Sequence, residues 1–115
     1  MGSPLTKQEQ AVLLGIARDA ITSYLRTGTL IEPTQEEESL NQHRGCFVTL
    51  SQGGQLRGCI GTFTSERPLC KEVAVMAVTA ATEDPRFYPM REEDLDHFSI
   101  EISVLSPLRQ TKDPT

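Results

Sequence analysis

The run Leu56-Arg57-Gly58-Cys59-Ile60-Gly61 packs a guanidinium, a thiol and two glycines into six residues that otherwise read as a β-strand. The thiolate is the nucleophilic form of cysteine, and a neighbouring cation favours it. Residues two apart in a strand share a face at about 6.5 Å between Cα atoms, so Arg57 is within reach of the Cys59 sulfur. Glycine inside a strand marks a bulge or a close approach, so Gly58 and Gly61 offer room for a ligand or another backbone. A free cysteine is also commonly just a small buried hydrophobe, and both readings stand for Cys59. A second constellation is Asp84-Pro85-Arg86. The plain reading is a helix stop whose two charges bond locally. The sharper one joins Arg86 to Arg57 as a bidentate clamp for a carboxylate or phosphate, with Asp84 beside it.

A base for the thiol is harder to find. His43 and His97 are the two histidines of the sequence, and neither has a fixed spacing to Cys59. His43 precedes a predicted strand and is the candidate base, since catalytic partners need only meet in space. No Ser-His-Asp order, P-loop or metal-ligand spacing occurs, so the reading includes no metal and no cofactor.

Composition narrows the classes. The 115 residues suffice for one domain, and the formal net charge of −5 argues against a nucleic-acid partner. Cysteines at 46, 59 and 70 form no C-x-x-C pair, which favours free thiols in a reducing, cytoplasmic setting. No apolar run approaches the roughly 18 residues of a membrane span, and no leader pattern opens the chain. Glu36-Glu37-Glu38 reads as a solvated loop.

The elements that must position these groups are legible in outline. Thr6-Lys7-Gln8-Glu9 has the capping-box form, an apolar stripe from Leu13 to Leu25 follows, and Gly28 closes a helix over roughly 7–26. Two strands, 45–50 and 55–63, flank Gly53-Gly54 as a hairpin. A three-residue loop, Gln52-Gly53-Gly54, would gather Cys46, Val48, Leu50, Leu56, Gly58 and Ile60 on the core face. Arg57 and Cys59 would then project from the other face with Phe47 and Thr49, with Cys46 and Cys59 pointing apart and unbridged. Pro68 opens an alanine-rich helix stopped at Asp84-Pro85. One helical turn at 92–95 precedes a strand from Phe98 to Val104, ended by Pro107. The sum is an α+β fold, an antiparallel sheet whose hairpin carries the Leu56–Gly61 stretch, covered by helices. The last strand has no neighbour on its outer side in this reading, so a homo-oligomer or another partner would complete the sheet.

Phe47-Val48-Thr49-Leu50, Leu56-Arg57-Gly58-Cys59-Ile60-Gly61, Pro68-Leu69, Ala80-Ala81, Asp84-Pro85-Arg86-Phe87 and Ile100-Glu101-Ile102-Ser103-Val104-Leu105 together resemble the AMMECR domain family. The likeness spans roughly residues 7–108 and rests above all on the LRGCIG stretch. It implies an AMMECR-like fold, with residues 1–115 as a single domain lacking the C-terminal half of the usual one. Bacterial and archaeal members resemble protein A of the AmmeMemoRadiSam system, which implies radical-SAM and Memo-like proteins as partners. The family has no settled activity.

Two functions follow. In the first, Cys59 is the reactive thiol of an enzyme or enzyme-system component. Its substrate is a small anionic molecule or a peptide, with Arg57 and Arg86 holding charge and His43 as the base. In the second, the glycine-lined strand is a non-catalytic binding surface for a protein or peptide, involving Arg57, Gly58, Gly61, Asp84 and Arg86. Nucleic-acid recognition is a weaker third.

Overall fold

The computed structural model describes residues 5–64 and 66–105; Pro107, expected to end the last strand, lies outside them. Helix α1 spans Lys7–Thr27. The Thr6 hydroxyl accepts the Glu9 N–H at 3.0 Å, and the Thr6 N–H donates to the Glu9 carboxylate at 2.9 Å, closing the capping box. Gly28, at φ 76°, ends the helix in the left-handed conformation, its N–H bonded to the Tyr24 carbonyl. Strands β1 (Cys46–Gln52) and β2 (Gln55–Thr62) form the hairpin, helix α2 spans Leu69–Thr82, and strand β3 covers Ser99–Val104. The sheet is antiparallel throughout, in the order β2-β1-β3. The fold is α+β.

Both helices pack on one face of the sheet. Leu13, Ile16, Ala17, Ala20 and Ile21 of α1 and Val73, Ala77 and Ala80 of α2 are buried with Cys46, Val48 and Leu50 of β1. Every second residue of β1 is therefore core, and the intervening Phe47 and Thr49 face the opposite side, which carries no helix among the described residues.

The hairpin differs from the sequence expectation in one particular. The turn has two residues, Gly53 and Gly54, both at positive φ (59° and 78°), and Gln52 pairs with Gln55. Two consecutive left-handed residues match the strand twist, which is why a Gly-Gly pair serves here. An even loop alone would put Cys59 on the core side. The register shifts instead between Leu50 and Ser51: Leu50 pairs with Gly58 and Ser51 with Leu56, leaving Arg57 as the extra residue of a bulge. That one residue restores the parity of a three-residue loop, so Gly58 and Ile60 oppose Leu50 and Val48, while Cys59 opposes Thr49. Leu56 does not join the core; it lies beyond the bulge and is 43% exposed.

Candidate functional site

Cys59 sits in β2, an edge strand, on the helix-free face and half-buried. Its sulfur lies 3.3 Å from the Thr49 hydroxyl, its cross-strand partner. The other side of Cys59 faces the segment that follows α2. There the Asp84 carboxylate accepts the Cys59 backbone N–H at 3.0 Å, and Arg86 Nη2 reaches the Cys59 carbonyl at 3.5 Å. A β2 edge that would otherwise offer its N–H to another strand is thus occupied by two side chains.

Asp84 organises this contact. Beyond the Cys59 N–H it accepts the Arg86 backbone N–H at 3.0 Å, and the Arg86 guanidinium grips it with Nε on Oδ1 at 3.0 Å and Nη2 on Oδ2 at 2.8 Å. The fork is bidentate, the geometry in which arginine holds a carboxylate most strongly. Asp84 is 4% exposed, and all its bonds favour the ionised form. The Arg86 side chain holds it well below the usual carboxylate range, helped by the Arg86 and Cys59 backbone N–H groups and opposed by burial. Reciprocally, the bond to Asp84 keeps Arg86 protonated above its ordinary range, with smaller electrostatic contributions from Asp84 and from Cys59.

The two arginines do not converge on a shared partner. Arg57 donates to the Tyr88 carbonyl at 2.8 Å and lies 3.9 Å from Asp94. Asp94 is itself held below the carboxylate range, first by the Arg91 backbone N–H and then by the Gln52 side chain. Arg57 thus fastens the segment after α2 to the hairpin, while Arg86 stands beside Cys59.

His43 is exposed and precedes β1 by three residues. Thr49, beside Cys59, is three residues into that strand, about 10 Å along it. No hydrogen bond joins His43 to Cys59 among the described residues.

The glycines serve internal neighbours. A Cβ at Gly58 would collide with the Ala80 carbonyl of α2, and one at Gly61 with the Cys46 carbonyl and the Phe47 ring. The ring of Phe47 in turn meets Phe63 edge-on at 5.5 Å, and Phe63 is 73% exposed, so an aromatic pair borders the same face as Cys59. Thr49 was not among the sequence candidates; its alternation with Val48 and Leu50, combined with the hairpin register, is the signal that places it opposite Cys59.

All three cysteines are free, and Cys46 and Cys70 are buried. Burial, with added repulsion from Glu72, pushes the Cys46 thiol up to about 12. No group of three or more potential metal ligands gathers among the described residues, and no helix there is long and apolar enough to cross a membrane.

A family model described as AMMECR1 matches residues 14–115. A protein of Methanothermobacter thermautotrophicus is 43% identical over 106 residues, covering 91% of this chain and 55% of its own length. Protein MK0488 of Methanopyrus kandleri is 43% identical over 110 residues, covering 93% of this chain and 53% of its own. The crystal structure of the uncharacterized protein PH0010 from Pyrococcus horikoshii superposes with a TM-score of 0.83 at 36% identity, over 96% of this chain and 57% of that one. The chain spans about half the length of the curated relatives it matches. On the family-model match and this likeness of fold and sequence, the chain belongs to the AMMECR1 family.

Proposed function

We propose that Cys59 is the reacting group of a thiol-centred site on the helix-free face of the sheet, acting on a small anionic or peptide substrate. The observation that carries this reading is the placement of the Arg86 guanidinium, anchored to Asp84, at the backbone carbonyl of the half-buried Cys59. Sγ loses its proton to solvent and bonds to an electrophilic carbonyl carbon. The negative charge then on the carbonyl oxygen is opposed by Arg86, whose side chain is 57% exposed and so accessible to a substrate. The leaving group departs with a proton from water, and hydrolysis of the thioester restores the thiol. Thr49, at 3.3 Å, orients the sulfur. Phe47 and Phe63 supply an apolar wall for the rest of the substrate. Arg57 acts through the Tyr88 carbonyl, holding the segment that carries Arg86 against the hairpin.

The test is a matched pair of thiol-reactive activated esters, one bearing a free carboxylate and one its neutral amide, followed by intact-protein and peptide mass spectrometry. Acylation is expected at Cys59, faster for the anionic ester, with the preference lost in Arg86→Gln. Equal rates with both esters and in both proteins would instead make this face a non-catalytic binding surface.

A further inference from the structure

Three charged side chains are buried among the described residues: Arg44, Glu72 and Asp84. Two of them are paired. Glu72 holds Arg67 at 2.6 Å and accepts the Thr62 hydroxyl, and Asp84 holds Arg86. Arg44 is only 6% exposed, yet no carboxylate among the described residues lies within ion-pair distance of it. Among the described residues its side chain makes one hydrogen bond, from Nε to the Leu105 carbonyl at 2.8 Å.

The position is built rather than incidental. Arg44 sits at the end of the sheet where β1 begins and β3 finishes, just past the Cys46–Val104 pair, and the Leu105 N–H donates to the Gly45 carbonyl next door. Gly45 is pressed against the backbone of Thr62 and Phe63 at the end of β2. Three strand ends therefore fix the residue's backbone, and the Leu105 carbonyl fixes Nε. Among the described residues no buried side-chain nitrogen lacks a partner, so the terminal Nη groups of Arg44 open onto the small surface the residue retains.

A buried cation compensated by one neutral carbonyl is electrostatically incomplete, because an opposite charge would offset its desolvation. Its free fork is shaped for two oxygens of one anion, and arginine is poorly hydrated compared with lysine, which suits it to this use. We propose that Arg44 is an anion-binding residue, taking a carboxylate or phosphate oxyanion at the strand-end corner of the sheet, separate from Cys59.

The experiment is thermal unfolding of the whole chain in sodium phosphate, sodium acetate and sodium chloride at matched ionic strength, for wild type, Arg44→Met and Arg44→Lys. A bound anion stabilises by mass action, so the wild-type Tm should rise with the logarithm of oxyanion concentration above the chloride series. Phosphate also stabilises proteins generally by exclusion from their surface, so the quantity read is the difference between wild type and variant. Arg44→Met should lose the increment, and Arg44→Lys, which keeps the charge without the fork, should keep less than half of it. A rise with phosphate alone would identify a phosphate ligand, and a rise with both anions a carboxylate-compatible site. If Arg44→Met fails to fold, the Arg44→Lys comparison decides. No oxyanion increment in wild type up to about 100 mM, or an increment undiminished in both variants, would overturn the assignment.

Discussion

Asp84 shows how much one carboxylate can be asked to do. Four donor groups converge on it from Cys59 and Arg86, and it is almost fully buried. Asp84→Ala leaves the Cys59 N–H without its acceptor, and the expected loss is about 1–3 kcal/mol in urea unfolding. The pH dependence has a definite sign. Folding lowers the Asp84 pKa, so its stabilisation is fully present above the ordinary aspartate value of about 3.9 and is lost as pH falls through the folded value. Unfolding free energies measured from neutral pH downward should therefore fall less steeply in Asp84→Asn than in wild type; parallel curves would mean the carboxylate is not carrying that bond network. The sequence showed Asp84 and Arg86 as neighbours of a helix stop. It did not show their target, because the contact with Cys59 spans 25 positions and depends on the path of the chain after α2.

At the level of elements, the hairpin and α2 decide where the thiol points. Gly58 is the point of closest approach between them, with the Ala80 carbonyl occupying the space of a side chain. Gly58→Ala should push α2 away from the sheet and cost about 1–3 kcal/mol, as overpacking does elsewhere. A melting temperature unchanged by that substitution would show that the helix can yield freely. The sequence reading took Gly58 as room for a ligand, whereas a helix fills it. The signal was present in two halves, a strand glycine and an alanine-rich helix, and their pairing needed the tertiary fold. The face of Cys59 was legible because the apolar alternation of Cys46, Val48 and Leu50 fixes parity. The means was not: a two-residue turn with a bulge at Arg57 gives the same parity as a three-residue loop. The α1 boundaries were legible because the capping box and Gly28 are local signals, and Thr6→Ala should cost about 1 kcal/mol through that cap.

Across the whole molecule, the segment after α2 reaches the hairpin through polar groups, while its Met90 and Leu95 are buried in the core. Asp84 takes the Cys59 N–H, Arg57 takes the Tyr88 carbonyl, and Asp94 takes the Gln52 side chain. The β1–β2 pairing and the helix stripe hold the rest by apolar burial. Asp84 and Asp94 both have lowered pKa values, so acidification should loosen this segment before the core opens. Amide exchange followed at decreasing pH should show protection falling at the Cys59 N–H while the Val48 and Leu50 amides stay protected. Loss of protection at all three together would indicate a single cooperative unit. The fold class followed from local patterns that each element carries by itself. The site resisted the same approach because its parts come from β1, β2 and the segment after α2, and because Arg57, the cation nearest Cys59 in sequence, bonds elsewhere.

The most direct measurement is the rate of iodoacetamide alkylation at each cysteine, read by peptide mass spectrometry in wild type and in Arg86→Gln. Cys59 should label well ahead of the buried Cys46 and Cys70, and its rate should fall several-fold when the guanidinium is removed. Rates at Cys59 that match in the two proteins, or that are as slow as those at Cys46 and Cys70, would contradict a thiol-centred site and leave Cys59 as a packing residue of the edge strand.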